Sequence, residues 1–107
     1  MTMTVMSERK PLVVRPDTVV ALPRHVQLKF DKLREMWLLL APERILTPDD
    51  IAVRVLQLCD GTRSVHQVCE VLAEIYAAPI DRIEADVIVM VQDLATQGYL
   101  QSFETGA

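Results

Sequence analysis

Across residues 11–46 apolar positions recur with period two, and after Thr47 they recur with period 3.6. The switch divides the chain into a β part followed by an α part. Thr18-Val19-Val20-Ala21-Leu22 is rich in β-branched residues and is stopped by Pro23. His25-Val26-Gln27-Leu28-Lys29-Phe30 then alternates strictly, with Val26, Leu28 and Phe30 on one face and His25, Gln27 and Lys29 on the other. Such alternation predicts a strand with one face buried and one wet. Residues 31–35 form a polar connection, and Met36 to Ala41 make the next strand before Pro42. Three short strands with tight links predict an antiparallel meander.

Three helices are predicted beyond it. Thr47 is placed to cap the first, with Pro48 at its first position and Asp49 and Asp50 in the turn where acids suit the helix dipole. Ile51, Ala52, Val55, Leu56 and Cys59 recur at helical spacing until Asp60-Gly61 breaks the run. Ser64 with Gln67 forms a capping box for the second helix, whose stripe is Val65, Val68, Cys69, Leu72, Ile75 and Tyr76. Pro79 separates it from a third, with Ile80, Ile83, Val87, Met90, Val91 and Leu94 as its stripe and Gly98 where a C-terminal cap belongs. The expected fold is α+β: a three-stranded antiparallel sheet followed by a three-helix bundle, like a winged helix-turn-helix.

The chain has 107 residues, half of them apolar and about a quarter charged. That suits one ordinary globular domain over residues 11–107, with residues 1–10 read as a loose tail. The longest uncharged apolar stretches, at 36–42 and 87–92, fall far short of the ~20 residues a membrane span needs. Residues 1–10 lack the apolar core of a signal peptide, so a cytoplasmic location is expected. The net charge of −4 is unevenly distributed. Residues 1–46 carry eight Lys/Arg against five Asp/Glu, and residues 47–107 carry three against ten.

Little in this chain could do chemistry. Its only glycines are Gly61, Gly98 and Gly106, so no phosphate loop exists, and no nucleophile–base–orienter set can be assembled. An enzyme is not expected, nor is a cofactor. Cys59, His66 and Cys69 supply three metal-like groups without a convincing fourth, and both thiols fall on apolar stripes, where cysteine packs as a small hydrophobe. The winged-helix pattern raises DNA binding as the alternative function. However, the helix that would enter a groove carries Asp81, Glu84, Asp86 and Asp93 against Arg82 alone, and phosphate would repel it.

The strand Met36-Trp37-Leu38-Leu39-Leu40-Ala41 is apolar on both sides. If Met36, Leu38 and Leu40 face the core, then Trp37, Leu39 and Ala41 need another cover. Two readings stand. The third helix or the segment Pro11-Leu12-Val13-Val14 covers them, or the strand edge accepts a partner's strand, either a peptide's or that of a second copy of the chain. On the third helix Ile88, Val91 and Ala95 extend the apolar arc along one shoulder. Beside an apolar strand edge, that shoulder would complete a peptide groove.

Four blocks of this sequence resemble the PqqD family: Leu38-Leu39-Leu40-Ala41-Pro42-Glu43-Arg44-Ile45-Leu46, Leu58-Cys59-Asp60-Gly61-Thr62-Arg63-Ser64-Val65, Glu84-Ala85-Asp86-Val87 and Gly98-Tyr99-Leu100. The likeness covers roughly residues 13–100, and its two longer blocks together are quite specific. The resemblance implies a non-catalytic peptide chaperone of pyrroloquinoline quinone biosynthesis. Such a chaperone would bind the ribosomal precursor PqqA and present it to the radical SAM enzyme PqqE, which cross-links a Glu to a Tyr. It further implies that the peptide adds as a strand beside the third strand, in the cleft against the third helix. That puts Met36, Trp37, Leu38, Leu39, Leu40 and Ala41, with Ile88, Val91 and Ala95, at the site. The chain has no Cys-x3-Cys-x2-Cys cluster motif, so it is not itself the radical enzyme.

Overall fold

The computed structural model describes residues 13–102. The expected tail and the Pro11-Leu12 part of the covering segment lie outside the described residues. The fold is α+β as the pattern predicts, with three helices and antiparallel three-stranded sheets among the described residues. The strands are β1 (Val19–Ala21), β2 (Gln27–Asp31), β3 (Met36–Ala41), β4 (Arg44–Leu46), β5 (Asp60–Ser64) and β6 (Gln101–Ser102). The helices are α1 (Asp50–Leu58), α2 (Val65–Tyr76) and α3 (Ile80–Thr96).

The meander is made of β2, β3 and β4, and the first predicted strand is not part of it. Asp31 closes the β2–β3 turn, its Oδ1 accepting from the backbone N–H of Leu33 at 3.0 Å and of Arg34 at 3.3 Å. After β3, Pro42 and the left-handed Glu43 (φ 63°) send the chain straight back as β4. β1 instead lies at the centre of a second sheet, ordered β5-β1-β6. Val19 pairs with Ser64 and Val20 with Ser102, so the two ends of the described chain are joined there. This sheet also serves α2. The backbone N–H groups of Val65 and His66, which have no partner inside the helix, donate to the carbonyls of Thr18 and Pro16, both at 2.8 Å.

Helix ends follow local rules with one shift. Asp49, not Thr47, caps α1, its carboxylate accepting from the Ala52 N–H at 2.8 Å. A carboxylate caps at least as well as a hydroxyl, and Pro48 is left outside the helix. Ser64 and Gln67 form the reciprocal capping box of α2. Gly98, at φ 89°, terminates α3, with the N–H of Gly98 on the Ala95 carbonyl and that of Tyr99 on the Leu94 carbonyl.

One core joins both sheets to the helices. Val20, Leu39, Val55, Val65, Val68, Cys69, Leu72 and Val91 are its most deeply buried side chains. Leu39 corrects the predicted faces of β3. The register sets Leu28 opposite Leu39 and Leu39 opposite Leu46. Residues directly opposite in an antiparallel pair share a face, so the face of β2 that carries Leu28 continues through Trp37, Leu39 and Ala41. Leu39 is 1 % exposed. Met36, Leu38 and Leu40 point the other way, with Lys29 opposite Leu38 and Ile45 opposite Leu40. The predicted burial of β2 holds for Val26 and Leu28 but not for Phe30, which is exposed at the far end of the hairpin.

Candidate peptide-binding site

β3 is the central strand of its sheet, which limits where another strand could add. β2 pairs with residues 36–40 on one side, and β4 pairs with residues 39–41 on the other. Leu39 and Leu40 therefore have strands on both sides. On the β4 side, residues 36–38 have no strand partner among the described residues, and this is the part of the edge left open.

The open edge leads into a cleft of about 730 Å³ between Trp37 and the first turns of α1, lined also by Asp49, Asp50, Ile51, Val53, Arg54, Gln57 and Tyr76. The Trp37 ring is braced by Phe30, edge to face with ring centroids 5.4 Å apart. Ile51 and Tyr76 also border a second, strongly apolar compartment of about 270 Å³, formed with Leu72, Ala78, Ile83, Asp86 and Val87. The two compartments share the walls Ile51 and Tyr76, and this groove region extends from β3, across the start of α1 and the end of α2, to the N-terminal half of α3. At their junction Ile51 is 50 % exposed and Tyr76 44 % exposed, although each sits on a helix with a good apolar stripe. Arg54 is the cation of the groove, and among the described residues no carboxylate lies within 4 Å of it.

The predicted site residues separate into three groups. Trp37 lines this groove, and Met36 and Leu38 flank it on the open edge. Leu39 is core, while Leu40 lies on the opposite face of the sheet and Ala41 packs against the core. The α3 shoulder is not an open surface. Val91 is fully buried, and Ile88 and Ala95 are half-buried against the core. Buried Val14 lies against the same helix, its N–H donating to Gln92 Oε1 at 2.9 Å. Of the predicted covering segment, Val14 is buried in the core cluster that also holds Leu39 and is bonded to α3, while Val13 is exposed. Sequence reasoning missed Ile51, Tyr76 and Ile83 as groove residues, having counted all three towards the core. The available signal was excess: α1 and α2 carry more apolar positions at their facing ends than one small core takes up.

The Cys59/His66/Cys69 set does not converge. Among the described residues no group of three or more His, Cys, Asp or Glu is placed to hold a metal. Burial pushes the Cys59 thiol up to about 12, with Asp60 adding to it, and burial likewise raises Cys69 to about 11. Both stay protonated thiols. His66 links the helices instead, its Nδ1 2.7 Å from Glu84 Oε2 on α3 and its Nε2 3.6 Å from Glu70 Oε2. The bond to Glu84 raises its pKa above the ordinary value.

Comparison with known proteins agrees with this architecture. The family model of coenzyme PQQ synthesis protein D matches residues 36–100. The chain belongs to the PqqD family. A relative called PqqA binding protein, from Bradyrhizobium diazoefficiens, is 61 % identical over 79 residues, covering 74 % of this chain and 77 % of its own. Among solved structures, the PqqD truncation of Methylobacterium extorquens PqqCD, described as a stand-alone recognition element for ribosomally synthesised, post-translationally modified peptides, superposes with a TM-score of 0.74. It is 41 % identical and covers 87 % of this chain and 99 % of its own. PqqD from Xanthomonas campestris is 40 % identical, with a TM-score of 0.52 over 82 % of this chain and 98 % of its own. The open edge at residues 36–38 and the groove from Trp37 to Ile83 therefore lie within the part of this chain that the PqqD model matches.

Proposed function

We propose that this chain is a non-catalytic peptide chaperone of pyrroloquinoline quinone synthesis. It binds the ribosomal precursor PqqA and hands it to the radical SAM enzyme PqqE. The observation that carries the reading is an open β3 edge beside a cleft that borders, at Ile51 and Tyr76, a strongly apolar compartment, in a chain that belongs to the PqqD family. A peptide strand beside residues 36–38 would satisfy main-chain groups, while side chains entering the Ile51/Tyr76 compartment would set its register. No helix of the described residues is long and apolar enough to cross a membrane, and the chaperone would meet its freshly translated ligand in the cytosol. The DNA-binding alternative is opposed by α3, which exposes Asp81, Asp86 and Asp93 and would be repelled by phosphate.

The test is direct. Titration with PqqA should change the fluorescence of Trp37, the one tryptophan of the chain. Adding the chain to PqqE and PqqA should raise the yield of Glu–Tyr cross-linked product. Equal yield with and without it refutes the chaperone role, and salt-sensitive retardation of random duplex would restore the DNA reading.

A further inference from the structure

The groove uses one face of the β2–β3–β4 sheet, and the other face has no covering layer among the described residues. The register places Met36, Leu38 and Leu40 of β3, Ile45 of β4 and Lys29 of β2 on this outer face. Unlike Leu28, Ala41 and Leu46 on the inner side, none of these four apolar residues packs against the core. Ile45 is 65 % exposed and Met36 36 %. Leu38 and Leu40 floor a hollow of about 440 Å³ walled by Lys29, Phe30, Asp31 and Lys32.

Two lysines and one acid wall this hollow. Among the described residues no carboxylate lies within 4 Å of Lys29 or Lys32. Asp31, the acid of the hollow, is taken up by two turn N–H groups and by Arg34 at 3.8 Å. Exposed apolar patches rimmed by polar residues mark sites where something docks, and here two lysines without an acid partner border the apolar floor. A second copy fits poorly. A two-fold interface would set this patch against itself and gather four lysines against two copies of Asp31, which its own turn already engages. An acidic protein surface with an apolar centre fits both features.

We propose that this outer sheet face is the docking surface for an acidic patch on the enzyme that receives the peptide. The inference rests on the presenting role proposed above. β3 would serve both partners, since Trp37 turns to the groove and Leu38 to the outer face. A partner seated on Leu38 and Leu40 would lie about one side-chain layer, ~10 Å, from the peptide, and peptide and enzyme would bind together.

The test is the double charge reversal Lys29→Glu/Lys32→Glu, at two exposed positions outside both the core and the groove. Association with PqqE, measured by interferometry at low and moderate salt, should weaken at least tenfold and lose most of its salt dependence. PqqA binding, read from Trp37, should stay within twofold of wild type. Wild-type affinity of the variant for PqqE would overturn the proposal, as would loss of PqqA binding, which would make this face part of the peptide site. So would a wild-type dimer in sedimentation that the variant dissolves, since the occupant would then be a second copy. If the wild-type chain binds PqqA but never PqqE, the presenting role fails together with this surface. If it binds PqqE but not PqqA, the peptide reading alone fails.

Discussion

Leu39 and Leu38 are neighbours on one strand, and the structure assigns them opposite fates. Leu39 is 1 % exposed, with Leu28 and Leu46 opposite it on the flanking strands, and with Leu72 it is the largest of the fully buried side chains. Leu39→Ala removes three carbons, worth roughly 2.4 kcal/mol of transfer free energy at ~0.8 kcal/mol each, and leaves a cavity that the rigid sheet only partly closes. A loss of about 3 kcal/mol follows, a large share of the ~5–15 kcal/mol that holds a domain of this size. At ~4–8 °C per kcal/mol the melting temperature should fall by about 12–24 °C. Leu38→Ala deletes the same carbons from a half-buried position outside the core and should cost about 1 kcal/mol or less. Urea unfolding followed by circular dichroism compares the two on one scale, and the midpoint of the Leu39 variant should drop without a change in slope. If Leu38→Ala proves the more damaging, or if Leu39→Ala leaves stability intact and weakens PqqA binding, the face assignment of β3 is wrong.

Ile51→Asp should leave the fold intact, because the side chain is already half exposed. It should weaken PqqA binding tenfold or more, since a charge facing an apolar peptide side chain costs at least ~1.4 kcal/mol; unchanged Trp37 titration curves would remove the groove from the site. Ser64→Ala breaks the capping box of α2 and should lower stability by about 1 kcal/mol, seen as a fall in melting temperature of ~4–8 °C. His66 has a folded pKa raised by Glu84, so its stabilising contribution is complete below its ordinary value of 6.5 and is lost as pH rises through the raised folded value. Melting temperatures of wild type and His66→Gln should therefore diverge at acidic pH and converge at alkaline pH, and parallel profiles would exclude that link.

Features decided within one turn of chain were legible in the sequence. The Ser64–Gln67 box, most of the apolar stripes of α1 to α3, the Gly98 terminus and the alternation at Val26 and Leu28 depend on neighbours two to four residues away, and the structure repeats them, with Ile75 at the end of the α2 stripe left 46 % exposed. Features decided by pairing at a distance were not. β4 and β6 are three and two residues long, too short for a period to show, β5 (Asp60–Ser64) has no apolar side chain to alternate, and each exists because another strand lies beside it. β1 has the composition of a strand, but its partners come from residues 60–64 and 101–102, and nothing local names them. The two faces of β3 show the limit most clearly. With six apolar residues in a row, alternation carries no information, and only the register set by the β2–β3 turn, with Leu28 opposite Leu39, determines which side meets the core. The groove depends on the same long-range packing. Ile51, Tyr76 and Ile83 occupy stripe positions indistinguishable in sequence from core positions, yet they border an opening between the helices. Sequence determines which residues are able to be buried. The relative placement of strands and helices decides which of them are.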